Sequence, residues 1–209
     1  MIELLVVILI FMILTGVTIF SYGKFNSSLS SQNLADDIAL SVRRAQGYAI
    51  GVRGYNSIFS EGYGVHFSTN PMVSTPYIGS TKSFVLFADM PGGTTNKYNY
   101  DVGICGSPTG TEECIEFLSI PSSDLIDQIS YTYGSQTGII PNTGTLDIMF
   151  RRPNLEPSFY CRDSSGSLCT SEIISSVEIR ISSPSSPGSY KMITVANNGQ
   201  ISVENINEN

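Results

Sequence analysis

Tryptophan is absent from this 209-residue chain, histidine occurs once, and 11 lysines and arginines stand against 18 acidic residues, for a formal net charge of −7. Each shortage removes a class of function. Holding a phosphate backbone is largely charge neutralisation and counterion release, so a chain this acidic is a poor partner for nucleic acid. With His66 as the sole imidazole, a serine-histidine-carboxylate set could be built in one place only, and no GxSxG elbow accompanies it. In GYGVHFST a structural or solvent-facing histidine is the expected reading over a general base. Asp36 and Asp37 are adjacent, not facing, and read as a solvated helix flank. DMPGGTTNK lacks the GxxxxGK[ST] order of a phosphate loop. DSSGSL, from Asp163 to Leu168, has too few carboxylates for a calcium loop. No segment repeats at a fixed period, which removes solenoids and propellers. Catalytic, cofactor and metal residues are therefore assigned to none.

The four cysteines form two close pairs, CGSPTGTEEC and CRDSSGSLC. Neither has the CxxC spacing of a zinc knuckle. Three pairings are open, and free buried cysteines are the other alternative. Each pair brackets a turn-rich loop able to close on itself, so Cys105–Cys114 and Cys161–Cys169 are the candidate disulfides. Two local disulfides suit a head outside the cytoplasm.

What the chain has in abundance is its start, MIELLVVILIFMILTGVTIF. From Leu4 to Phe20 nothing is charged. As a helix that run covers roughly 25 Å, close to the approximately 30 Å hydrocarbon core of a bilayer. Nothing later could span. A carboxylate in lipid is expensive, so Glu3 must pair, take up a proton or rise to the interface.

The organisation expected is a hydrophobic membrane or filament-core helix over 1–22, an amphipathic continuation over 23–54 and a β-rich head over 55–209. In the continuation Leu34, Ile38, Val42, Ala45 and Ala49 share one face, and Asp36, Asp37, Arg43 and Arg44 lie largely elsewhere. A bend near Gly23 or Asn26 and a restart capped by Ser30 or Ser31 fit the pattern. GYGVHFST, KSFVLFAD, TLDIMFRR, SSVEIRISS and YKMITVANNGQISVE read as strands, the last one a hairpin turning at Asn197, Asn198 and Gly199. IPSSDLIDQIS is too brief a pattern to assign. PGGTTNKYNYDVGICGSPTGTEEC and RRPNLEPSFYCRDSSGSLC read as loops. The fold class expected is α+β, the long helix packed on one face of a mostly antiparallel sheet.

IELLVVILIFMILTGVTIF, with Glu3 opening an apolar helix, resembles the N-terminal region of type IV pilins and type II secretion pseudopilins. NLADDIALSVRRAQGYAIGVRG, then GYGVHF, TLDIMF and ITVANNGQISV, are similar in order and character to minor pilins and pseudopilins of the GspH/FimT type. The resemblance implies a pilin-like fold and a non-enzymatic subunit, a minor pilin or pseudopilin, assembled through its N-terminal helix. In that family a glutamate near the start of the helix pairs with the N-terminal ammonium of a neighbouring subunit, and Glu3, Leu4, Leu5, Val6 and Val7 occupy the matching stretch. The implied partners are other pilin or pseudopilin subunits, an inner-membrane assembly platform, membrane lipid before assembly, and a prepilin peptidase if a leader exists upstream. Glu3 stands two places nearer the start than in mature members of the family, which leads us to expect a true start upstream of Met1. The implied location is the inner or cytoplasmic membrane, single-pass with the head outside, and a surface or periplasmic filament after assembly.

Some minor pilins of the FimT type take up DNA through a basic C-terminal region, and ISVENINEN is acidic and polar, so that property does not carry over. Arg151 and Arg152, before Pro153, make the most basic short run of the head. Tyr48, Tyr55, Tyr63, Tyr77, Tyr98, Tyr100, Tyr131 and Tyr133 suit subunit contacts, a ligand patch or ordinary sheet packing. The alternative readings are a signal-anchored adhesin or ligand-binding domain and, behind it, a secreted enzyme dependent on His66. Gly16, a small residue within the span, has no GxxxG partner.

Overall fold

The computed structural model describes residues 2–51, 54–55, 58–59, 62–71, 79–90, 100, 105, 113–153, 156–185 and 187–207, without the side chains of 20–24, 55, 58 and 59. Helix α1 runs unbroken over Ile2–Ile50, roughly 74 Å at 1.5 Å per residue. The expected restart at Ser30 or Ser31 does not occur. Both serines lie inside the helix, and their hydroxyls point to the head, where Asp124 receives them.

Twelve strands follow: β1 Gly54–Tyr55, β2 Ile58–Phe59, β3 Gly62–Ser68, β4 Ser83–Asp89, β5 Cys114–Ser119, β6 Leu125–Tyr133, β7 Gln136–Ile139, β8 Thr145–Arg151, β9 Pro157–Arg162, β10 Ile174–Ser182, β11 Ser189–Ala196 and β12 Ile201–Asn207. They form a β1–β2 ribbon and two five-stranded sheets, the first ordered β5-β4-β3-β8-β9 and the second β12-β11-β10-β6-β7. Neighbouring strands in these sheets run antiparallel. The single sheet expected from sequence is thus corrected to two.

The helix joins them. Leu34, Ile38, Val42, Ala45 and Ala49 are all buried. α1 packs against β3, β4 and β8 of one sheet and β10, β11 and β12 of the other. Helix and facing sheet sides share one core, including Val65, Leu86 and Ile148 from the first sheet and Ile129, Ile179 and Ile193 from the second. Each sheet offers an apolar face that must be covered, and one amphipathic helix has too narrow a stripe to cover both.

β3 and β4 are buried along their whole length, because their far face is covered as well. There Val85, Phe87, Tyr100 and Cys114 form a second, smaller cluster. Gly64 permits it: a methyl at that position would stand 2.7 Å from both the Ile148 carbonyl and the Phe87 ring.

β6 begins in the unassigned IPSSDLIDQIS stretch and runs on to Tyr133, and β9 replaces part of a segment read as loop. β9 pairs with β8, Phe159 opposite Ile148 and Cys161 opposite Leu146. Phosphate-loop candidates after Met90, and most of the first long loop, lie outside the described residues, as do Tyr77 and Tyr98.

Both candidate disulfides form, Cys105–Cys114 and Cys161–Cys169. The first ties Cys105 to the start of β5. The second folds the chain back on β9, where the Cys169 amide donates to the Cys161 carbonyl at 3.1 Å. Tyr63, Tyr100 and Tyr131 are buried, Tyr48 meets Tyr63 edge-on at 5.7 Å, and Tyr131 stacks on Tyr133 at 5.8 Å. For these tyrosines ordinary packing is the outcome.

Candidate functional site

The largest unsatisfied surface is the first part of α1. From Ile2 to Ile19 no residue is buried, and the segment is long and apolar enough to cross a membrane once. Fourteen large apolar side chains there are 43–77% exposed, on all sides of the helix. An all-round apolar helix belongs in lipid or in a protein core. Removing fourteen such side chains from water is worth on the order of 20 kcal/mol, more than the roughly 5–15 kcal/mol net stability of a typical domain. The arm therefore needs a partner, whether lipid or protein.

Polar groups of the span are satisfied from within. The Thr15 hydroxyl donates to the Phe11 carbonyl at 2.8 Å, and the Thr18 hydroxyl to the carbonyls of Thr15 and Leu14 at 2.8 and 3.1 Å. With the backbone beyond the first turn paired by the helix itself, Glu3 and the first-turn amides at the tip are what resist transfer to an apolar medium.

Glu3 lies in the first helical turn, where the positive end of the helix dipole favours a carboxylate. It is exposed, and among the described residues it makes no ion pair or hydrogen bond. Leu4, Leu5, Val6 and Val7, beside it, are 52–65% exposed. The five residues singled out by sequence thus stand together at the tip of a free arm.

The other end of the arm is held by residues that sequence reading missed. Ser27 is the first buried residue from the N-terminus among those described, and its hydroxyl lies 2.9 Å from that of Ser183. One turn on, Ser30 donates to Asp124 Oδ2 at 2.5 Å and Ser31 to Oδ1 at 3.0 Å. Ser122 adds a bond to Oδ2 at 2.8 Å. Lys82 Nζ donates to the main-chain carbonyls of Ser122 and Asp124 at 2.9 and 2.5 Å. Burial works to raise the Asp124 carboxyl, but hydrogen bonds from Ser30, Ser183, Ser122 and Ser31 outweigh it and hold it below the ordinary value of 3.8. Further along α1, Arg44 pairs with Glu116 at 2.9 Å, and Lys191 donates to Gln32 and Asn205.

His66 is not solvent-facing. It is 5% exposed, and its Nδ1 lies 2.6 Å from Oδ1 of Asp147, itself 2% exposed. Tyr100 covers the imidazole, ring centroids 4.9 Å apart. A carboxylate-oriented imidazole is a component of hydrolytic sites, and here it lies beneath a tyrosine. The sequence signal was one ionisable residue amid the buried alternation of each of two strands, which calls for a partner.

Asp163 spends its carboxylate on its own turn: Oδ1 accepts from the Ser165 amide and hydroxyl and from the Ser167 amide. The Ser165 hydroxyl is the main cause that lowers its pKa. Arg151 and Arg152 border a cavity with Glu156, Pro157 and Ser158, so an acid stands beside the basic pair. Among the described residues no group of three or more His, Cys, Asp or Glu is placed to hold a metal ion.

No protein-family model, no curated protein and no solved structure matches this chain.

Proposed function

We propose that the chain is a non-enzymatic structural subunit, a minor pilin or pseudopilin, assembled through its N-terminal helix into a type IV pilus or a type II secretion-like filament. The observation that carries this reading is the division of one continuous helix. Ser27 to Ala49 holds the core of the head, while Ile2 to Ile19 is apolar on every side and bare. A signal anchor needs only a span; a rigid helix shared by span and core also fixes the head relative to its neighbours when spans pack side by side.

Glu3, without a partner among the described residues, is a registration group in this reading. In lipid it stays at the interface; among subunits it meets a neighbour's ammonium. The inner-membrane platform and other subunits are the partners, and a separate ATPase supplies the work. The pilin-like fold and the extracytoplasmic position of the head belong to the same proposal, supported by the resemblance of the N-terminal stretch and by the two disulfides.

N-terminal sequencing with intact mass of the protein from its native membrane tests the reading. A chain that begins two residues before Met1, with a methylated first residue, supports it. A chain that begins at Met1, unmethylated, favours a signal-anchored adhesin or ligand-binding head.

A further inference from the structure

Between the bare arm and the packed head stands a single buried carboxylate. Asp124 is fully buried, and the hydroxyls that satisfy it come from three places in the chain. Ser30 and Ser31 belong to α1, Ser122 to the approach to β6, and Ser183 to the end of β10. Serine suits this position because its short side chain loses little rotamer entropy when fixed. A buried charge met by several donors is stable, whereas one that loses them is costly.

The position matters because of leverage. Phe25 and Asn26 are exposed and Ser27 is buried. From Ile2 to Asn26 the helix is roughly 37 Å long and carries no buried residue among those described, so a small tilt of its last held turn is a large displacement at Glu3. The Ser27–Ser183 contact and the Ser30–Ser31–Asp124 contacts hold that turn against the head, with the Lys191–Gln32 hydrogen bond beside them.

We propose that Asp124 is an acid-sensitive brace that fixes the direction of the apolar arm relative to the head. Ionised, it holds two consecutive serines of the helix, one through each oxygen. Protonated, it gives up one acceptor position and the charge that strengthened the rest, and the first held turn of α1 loosens while the Ile38–Ala49 face stays packed. The described groups around the carboxylate are few. From α1 come Ser27, Ser30 and Ser31, with Asp37 lining the cavity that adjoins Ser30 and Ser122. From the approach to β4 comes Lys82, bound to main-chain carbonyls and not to the carboxylate, and from the end of β10 comes Ser183. Lys82 is held by main-chain carbonyls and Asp37 faces the cavity, so Asp124 is the carboxylate that the two helix serines meet. The brace does not depend on the filament reading; a lipid anchor needs its direction fixed as much as a filament subunit does.

The test uses the full chain in detergent micelles. All four cysteines are in disulfides, and Phe25 and Ser185 are both exposed, so spin labels on Phe25→Cys and Ser185→Cys report one distance, arm to head. At pH 7 a narrow distribution is expected. Asp124→Asn should broaden it several-fold while the far-ultraviolet circular dichroism of the head is retained, and acidification through the titration of Asp124 should broaden the unsubstituted chain in the same way but change Asp124→Asn little. If Asp124→Asn fails to fold, the Ser30→Ala/Ser31→Ala pair decides by the same criterion. A distribution that stays narrow in the folded variant, or an acid response equal with and without Asp124, overturns the proposal.

Discussion

Oδ1 of Asp147 lies 2.6 Å from Nδ1 of His66, side by side on adjacent strands beneath the Tyr100 ring. The register sets them directly opposite, so each gives the other a polar partner within a buried face. Asp147→Ala leaves the imidazole buried without its acceptor and is expected to cost about 2–4 kcal/mol. Asp147→Asn, which still accepts from an Nδ1–H, should cost less. Urea unfolding measures both, and equal losses would show that packing, not the hydrogen bond, is what the site loses.

The depressed pKa of Asp124 makes stability depend on pH. Its folded-state value lies below the ordinary 3.8, so the stabilisation is fully present above that value. It is lost as pH falls through the folded pKa. Asp163 is lowered too, by its own loop, so the informative quantity is the difference between the chain with Asp124 and Asp124→Asn. That difference should be constant from pH 7 to pH 5 and shrink below pH 4, by chemical denaturation. A difference unchanged at pH 2.5 would mean the carboxylate contributes nothing as an ion.

Gly64→Ala places a methyl 2.7 Å from the Ile148 carbonyl and from the Phe87 ring. One obstacle is backbone of the neighbouring strand and the other is a buried ring, so relief means separating strands or expelling Phe87 from its cluster with Tyr100. A loss of about 1–3 kcal/mol is expected. Thermal unfolding, compared with Gly47→Ala in the helix, where the added methyl meets nothing within 4 Å, sets the crowded substitution against an uncrowded one.

Cys161→Ser/Cys169→Ser should lower stability by about 2.5–3 kcal/mol, the closure entropy of a loop this short. Differential scanning calorimetry without reductant gives the value. No change would mean that the Cys161–Cys169 hydrogen bond and the β9 pairing already close the loop in the unfolded ensemble.

The helix was the most legible part of the sequence, because its signals are local. A 17-residue uncharged run and a three- and four-residue apolar step needed no knowledge of what they pack on. The same holds for β3, β4, β8, β10 and the β11–β12 hairpin, whose Asn197–Asn198–Gly199 turn includes Gly199 at φ 82°. β9 was hidden because Pro157 and Cys161 sit within it, and its edge position tolerates the proline. β6 was hidden because the approach to it, Ser122 to Asp124, reads as turn. That both apolar faces of the first sheet are covered could not be read at all: Val85 and Phe87 look like the alternate positions of an ordinary half-buried strand until Tyr100 is seen over them. The Asp124 brace depends on contacts between residues more than 90 positions apart, and no local pattern encodes such a pairing.

In the proposed function the N-terminal helix assembles this chain with other subunits, and Glu3 sets the register. The most direct measurement compares the chain with Glu3→Ala in the native cell, quantifying each in sheared or purified filaments and in the membrane fraction. The unsubstituted chain should be found in filaments, and Glu3→Ala should accumulate in the membrane with its head folded and both disulfides formed. Equal incorporation of Glu3→Ala, or a chain confined to the membrane whether or not Glu3 is present, would contradict that role.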